Sequence, residues 1–288
     1  MQTTVVVGYD QTPSSERALA TAADQAVRCG SALAVVHAYR PPGADGPGEP
    51  SVVAAYRKAA EELAESGADR VRSSHPDLTV HAAAVVGSPA KVLAASAHGA
   101  ELLVVGNRGR GGFPAMQLGS TSMRVLAEAC CPVLVVRGGE HARRDRIVAA
   151  VDIDGPCDTV LRLAFEEALR RGSALTVIHV WDEPWVVSYD EEQGDGLADD
   201  VAAILANRDE RLEAHLLEWR RRYPDVRVFR QMATGSAASI LVEAAEHADL
   251  IVAGARRHGD GEHGLRIGPV GHTLLRHADC PVLVVPID

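Results

Sequence analysis

The sequence lacks most of the signals that would fix a protein's chemistry at once. None of its five cysteines, Cys29, Cys130, Cys131, Cys157 and Cys280, stands in CxxC or CxxH spacing. The spacing therefore encodes neither a zinc ribbon nor a redox pair. Buried reduced thiols in a reducing compartment fit an odd number of scattered cysteines. No apolar stretch reaches the ~18 residues that a membrane helix needs. Met1 to Val7 leads straight into a strand, not a signal peptide. The expectation is a cytoplasmic protein with no membrane partner. No GxxxxGK[ST], HxGH or HEXXH motif occurs. Positive charge is short, with 29 Lys and Arg against 39 Asp and Glu, for a net charge of -10. Such a surface repels phosphate backbones, so no nucleic-acid partner is expected. A local basic pocket for one small anion remains compatible with it.

What is present is a repeat. The 288 residues are 47% apolar and 24% charged, which suits about two globular domains of ~150 residues. VVVGYDQ from Val5 resembles VAAVDID from Val148, and CGSALAVVHAY from Cys29 resembles RGSALTVIHVW from Arg171. Asp10 pairs with Asp152 and His37 with His179, both 142 positions on. Gly87 and the string AELLVVG from Ala100 recur at Gly235 and Ala248, 148 positions on. CPVLVV recurs from Cys131 at Cys280, 149 positions on. Similarity of this order along the whole length indicates duplication. The polar segment Arg137 to Asp145 reads as the linker. It divides a domain over 1–138 from one over 144–288.

Each copy alternates strand and helix. In the first, Thr4 to Gly8 is an apolar strand, and Pro13-Ser14 opens a helix that stops at Cys29-Gly30. Ala32 to Ala38 is the second strand, Pro41 to Pro50 a loop, and Val52 to Ser74 a long helix. The third strand covers Leu78 to Val86, the third helix runs from Ser88-Pro89 to His98-Gly99, and Leu102 to Val105 is the fourth strand. A glycine loop, Gly106 to Gly119, precedes a helix over Ser120 to Ala129 and a last strand over Val133 to Val136. Short apolar strands alternating with helices indicate a parallel sheet covered on both faces. The expected fold is α/β: two tandem doubly wound, Rossmann-like domains, each with a five-stranded, mostly parallel sheet in the order 3-2-1-4-5. Such folds bind ligands beyond the carboxyl ends of their strands, where strand order reverses. Asp10 and Gly106 both follow a strand there.

The loop GNRGRGGFPAMQLGSTS, Gly106 to Ser122, has four features that suit a phosphate. Gly106 and Gly109 let the backbone approach a ligand. Gly119-Ser120 opens a helix, whose free N–H groups attract anions. Ser120, Thr121 and Ser122 add hydroxyl donors. Arg108 and Arg110 add guanidinium forks.

The gapless pattern G-x2-G-x9-G-[S/T] at Gly106, Gly109, Gly119 and Ser120 resembles the ATP-binding loop of the universal stress protein family. The opening GYDQTPSSERAL, the segment VVHA, the string LLVVGNRGRGG and the ending CPVLVV resemble that family in order and spacing. The resemblance spans both halves. It implies an ATP site, with Mg2+, in which Asp10 contacts the adenosine, the backbone at Ala38 holds the adenine, and Val105 and Gly106 lie against ribose and base. Arg108, Gly109, Gly119, Ser120, Thr121 and Ser122 match its phosphate cradle. Taken alone, Asp10 reads equally well as a turn residue bonding its own backbone, and Ala38 and Val105 as buried strand ends. The family's usual pairing implies that the two halves join through their last strands, Val133 to Val136 and Val282 to Val285, and that two chains can associate further to a homodimer. An uncovered apolar edge invites such pairing.

The second copy departs in its loop, Gly254 to Thr273. Arg257 replaces the second glycine, adding bulk where the backbone should approach a phosphate, and Pro269 replaces the cradle serine, which removes an amide donor and a hydroxyl together. A degenerate site is expected there. His258, Asp260, Glu262 and His263 have no zinc spacing and are read as solvated, so no metal site is expected. Trp181, Trp185, Tyr189, Asp190, Glu191 and Glu192 read as a packed mid-loop. His37 and His179 read as core histidines. No acid, base or nucleophile set accompanies the glycine loop, so no catalytic residue is assigned. A nucleotide-dependent regulator or sensor in stress response is expected, not an enzyme. The alternative is an enzyme with slow ATP hydrolysis or ATP-dependent transfer.

Overall fold

The structure is a computed structural model that describes residues 3–42, 49–109, 117–139, 143–181, 194–257 and 264–287. The first half contains β1 (Thr4–Gly8), α1 (Pro13–Cys29), β2 (Ala32–Tyr39), α2 (Pro50–Ser74), β3 (Val80–Val86), α3 (Pro89–Ser96), β4 (Leu102–Gly106), α4 (Ser120–Glu128) and β5 (Val133–Val136). The second contains β6 (Arg146–Ala150), α5 (Asp158–Arg171), β7 (Ala174–Trp181), α6 (Gly194–Arg222), β8 (Val228–Thr234), α7 (Ala237–Ala245), β9 (Leu250–Arg257), β10 (Leu265–Arg266), α8 (Pro269–His277) and β11 (Val282–Ile287).

Local chemistry sets these bounds. Thr12 caps α1 by accepting from the Ser15 N–H, and Pro13 occupies a first-turn position where no N–H is needed. Gly30 ends α1 at φ +64°, and its counterpart Gly172 ends α5 at φ +62°. Both adopt the left-handed conformation that closes helices at little cost for glycine. The third strand begins two residues later than its apolar pattern suggests, because Leu78 is still in a turn, donating to the His75 carbonyl at 3.1 Å.

The strand order is β3-β2-β1-β4-β5 in the first half and β8-β7-β6-β9-β11 in the second. Each is the expected 3-2-1-4-5 order. The two last strands pair antiparallel, Val282 with Val135, Leu283 with Leu134 and Val284 with Val133. One mixed sheet of eleven strands results, with β10 attached to β9. Leu134 and Leu283 are equivalent residues of the two copies, so a pseudo-twofold axis passes between them. A second equivalent pair, Gln25 of α1 and Glu167 of α5, meets beside it, the Gln25 amide donating to the Glu167 carboxylate. Apolar layers cover both faces of the sheet and run unbroken across the junction: one contains Leu134, Leu250 and Leu283, the other Val133, Val135 and Val284.

The polar linker begins with a specific contact at Arg137. Its guanidinium donates to the carbonyls of Leu274 at 3.1 Å, of Leu275, and of Arg276 at 2.5 Å. It thus closes the C-terminal end of α8 in the other half, where a cation suits the helix dipole. Residues 140–142 of that linker lie outside the described residues.

Candidate functional site

β1 and β4 are neighbours, and the chain leaves them on either side of the point where strand order reverses. A cavity of about 630 Å³ opens there, inside the usual ~300–1,000 Å³ range for small-molecule sites. Its wall contains Asp10, Ala38, Val105, Gly106, Arg108, Gly109, Gly119, Ser120, Thr121 and Ser122. These are the ten positions that the family resemblance assigns to an ATP site.

At the apolar end, β1 stops pairing with β2 at Gly8 and Val36, and the Tyr9 N–H makes the last rung to the Val36 carbonyl. Alternation along β2 turns the Ala38 N–H and C=O toward that same side, beyond the end of β1. Leu63, Leu93 and Pro89 add apolar surface. His37 is buried, with Nδ1 2.8 Å from the Tyr9 carbonyl. A carbonyl only accepts, so Nδ1 carries the proton. Burial first, and then the hydrogen bond to Glu16, push the Tyr9 phenol above its ordinary value.

Asp10 has two roles to divide. Its Oδ1 accepts from the Thr12 N–H at 3.1 Å and the Thr12 hydroxyl at 2.6 Å, which is the turn-forming reading. Its Oδ2 faces the loop, 3.3 Å from the place a Cβ on Gly109 would occupy. The turn thus aims the carboxylate into the crevice, where it can accept from ligand hydroxyls.

At the polar end, α4 begins at Ser120 after Gly119, a cap residue with no side chain of its own to offer. The amides of its first turn therefore point into the cavity mouth, as an anion site requires. The Ser122 hydroxyl is committed elsewhere, donating to the Gly106 carbonyl at 2.7 Å. It staples the loop to the helix, so its amide and not its hydroxyl proton is available to a ligand. The Gly119 N–H closes the loop onto the Asn107 carbonyl at 2.7 Å.

Ser14 and Asn107 were not assigned to the site from the sequence. Buried Ser14 donates to Asn107 Oδ1 at 2.8 Å and accepts from the Arg108 N–H at 3.2 Å. It fixes the start of the loop from the first turn of α1. A serine in a first helical turn gives no signal of a partner 93 residues away. Residues 110–116, including Arg110, lie outside the described residues.

The second half has a crevice of similar size, about 650 Å³, with different walls. Where Ser120, Thr121 and Ser122 stand in the first copy, the second has Pro269, Val270 and Gly271. β9 does not stop at Gly254. It continues to Arg257, pairing with β11 on one side and β10 on the other. Backbone that forms an open loop in one half is thus ladder in the other. Arg257 was expected to crowd this cradle; it reaches instead to the Cys130 carbonyl at 3.4 Å, across the domain boundary. Arg208 of α6 enters the crevice, donating to Asp154 at 2.7 Å, contacting His179 Nε2 at 3.3 Å and covering the Trp181 ring. Hydrogen bonds from Arg208 and then Arg211 hold the Asp154 carboxyl below its ordinary range. Trp185, Tyr189, Asp190, Glu191, Glu192, His258, Asp260, Glu262 and His263 lie outside the described residues. No described helix is long and apolar enough to cross a membrane.

The model of the universal stress protein family matches residues 1–137 and again 143–286. A universal stress protein of Mycolicibacterium smegmatis is 33% identical over 296 residues, covering 98% of this chain and 96% of the relative. One of Mycobacterium tuberculosis is 30% identical over 292 residues, covering 97% and 95%. In fold, a universal stress protein of Archaeoglobus fulgidus superposes with a TM-score of 0.68 over 98% of both chains, at 18% identity. With the family model matching twice and relatives similar along their full length, the chain belongs to the universal stress protein family.

Proposed function

We propose that the first half binds ATP and that the protein acts as a nucleotide-dependent regulator or sensor in stress response. The observation that carries this reading is that Asp10 and the start of α4, with a glycine as its cap, line one cavity of about 630 Å³ at the strand-order reversal. An anion is drawn to the amide end, a ribose offers hydroxyls to Asp10, and a flat base suits the apolar end beside Ala38. Asp10 is the one carboxylate among the described lining residues. Mg2+ would therefore enter on the phosphates and keep most of its water, as this ion commonly does. The binding class is favoured over catalysis because no nucleophile and base pair adjoins the α4 end of the cavity among the described residues.

The second crevice is proposed to bind ATP weakly or not at all. It loses the counterparts of the Ser120 and Thr121 hydroxyls and, at Pro269, an amide, and Arg208 occupies its base end. Hydrogen bonds to charged groups contribute ~1.5–3 kcal/mol each, so losing two lowers affinity by two or more orders of magnitude. Nucleotide released by denaturing the purified protein should be ATP, and calorimetry on nucleotide-free protein should give one ATP per chain. Two equal sites would show that these replacements matter less than argued. Sustained turnover with an acceptor would favour the enzyme reading.

A further inference from the structure

We propose that Cys157, Asp158 and His215 hold one divalent transition-metal ion of the zinc class at the edge of the second crevice. The inference is independent of the ATP reading. One ligand atom from each of the three residues lies within 4.8 Å of the others. Cys157 Sγ and His215 Nδ1 are 3.8 Å apart. Tetrahedral zinc, with Zn–S of ~2.3 Å and Zn–N of ~2.0–2.1 Å, holds its sulfur and nitrogen ligands about 3.6 Å apart. A shift of a few tenths of an ångström would bring the pair to coordination geometry.

The donor set also selects the ion. Thiolate and imidazole favour zinc-class metals over magnesium or calcium. One thiolate and one carboxylate neutralise a dication, so a partly buried site gains no net charge. The supports are rigid. Cys157 is the cap of α5 and Asp158 its first residue. His215 sits on α6 between the layers set by Leu212 and Leu216, both fully buried. Cys157 lines the crevice, leaving a further coordination position to water or a small anionic ligand.

The equivalent residues in the first half are Ser15, Glu16 and Gly67. A Cβ on Gly67 would stand 2.7 Å from the Tyr9 ring, so no histidine fits there. The cluster therefore belongs only to the half whose phosphate hydroxyls are gone. Binding would displace the thiol proton to solvent, one per ion.

The test uses the full chain, stripped with a chelator and titrated with Co2+. The expected result is one ion per chain, with a thiolate-to-cobalt charge-transfer band that Zn2+ displaces and that Cys157→Ser abolishes. Removing an outer-shell partner commonly weakens metal sites ~10–100-fold, so losing a ligand in Asp158→Asn or His215→Ala should weaken Co2+ binding at least about 10-fold. Asp158 is exposed, so its variant keeps the test valid if Cys157→Ser fails to fold. Absence of the band in the unmodified protein, its survival in Cys157→Ser, or undiminished affinity in both other variants would overturn the proposal.

Discussion

Gly106 and Gly109 look alike in the sequence pattern, and the structure separates them. A Cβ on Gly106 would stand 2.8 Å from both the carbonyl carbon and the oxygen of Ser14. Those are backbone atoms of α1 and cannot swing aside, so Gly106→Ala must push β4 and α1 apart. Overpacking of this kind costs ~1–3 kcal/mol, and a backbone neighbour puts it at the upper end. At ~2–4 °C per kcal/mol for chains of this size class, Tm should fall by about 5–10 °C. Gly109 is different. Its Cβ would come 3.3 Å from Asp10 Oδ2, a side-chain atom that needs to give by only a few tenths of an ångström, and Gly109 itself is exposed. Gly109→Val should leave Tm within about 2 °C. It should nevertheless hold phosphate away from one or two amides, each worth ~1.5–3 kcal/mol to a charged ligand, and so weaken ATP about 10-fold to 100-fold or more. Thermal melts without nucleotide and calorimetry with ATP read the two effects separately. Equal loss of Tm in both variants, or full ATP affinity in Gly109→Val, would refute this division of labour.

Two further outcomes follow from the junction and the core. Arg137→Met removes a fork from three carbonyls at the end of α8, and about 2–4 kcal/mol of stability should go with it, read by denaturant unfolding; Arg137→Lys, with a point charge instead of a fork, should recover less than half. Burial raises the thiols of Cys29 and Cys280 to about 12 and of Cys131 to about 11. All three should alkylate far more slowly at pH 8 in the folded chain than in denaturant. These thiols are largely neutral in both states below about pH 8, under the ordinary thiol value of ~8.5. Stability should therefore hold up to there and fall as pH rises toward 11 to 12, because the unfolded chain ionises first.

The fold was largely legible because the information is local and occurs twice. Strand runs such as LLVVG and VLVV are too short and apolar for anything but buried strands, and Gly30 and Gly172 mark helix ends in both copies. The loop that lines the first cavity was legible because its glycines, its helix start and its hydroxyls are contiguous. Partners brought together by helix register were not. Ser14 with Asn107 are 93 residues apart, and Cys157 with His215 are 58 apart. Nothing in the spacing of two residues on separate elements says which faces meet. The histidines of the second loop drew notice because they are adjacent in sequence, whereas the described Cys, Asp and His cluster is assembled by α5 and α6. The fate of Arg257 was misjudged for a related reason. Aligning loops places a residue along the chain but not in space, and β9 carries it past the crevice to Cys130.

The pseudo-twofold axis explains how two similar halves choose each other instead of their own kind. The paired strands are nearly self-complementary, since valine faces valine and leucine faces leucine in β5 and β11. They would serve a like-with-like dimer equally well. The distinction lies beside them, where Gln25 meets its counterpart Glu167, and Arg171 stands where the first half has Cys29. Glu167 is 3% exposed and accepts from Gln25, from Arg171 Nε at 2.8 Å and from Arg170 at 3.5 Å; Arg171 also donates to Gln25 Oε1 at 3.3 Å. Two first halves would bury glutamine on glutamine with Cys29 in place of Arg171. Two second halves would bury two carboxylates together. Glu167→Gln should then cost about 2–4 kcal/mol, somewhat under the ~3–5 kcal/mol for breaking a buried ion pair, because one acceptor remains. The exchange Gln25→Glu with Glu167→Gln returns one carboxylate to the same arginines from the other side, and should recover at least half of that loss. A double-mutant cycle by denaturant unfolding measures the coupling, expected at ~1 kcal/mol or more for residues in one network. Strictly additive losses would mean that the axis is held by the sheet alone, and that the polar pair does not select the partner.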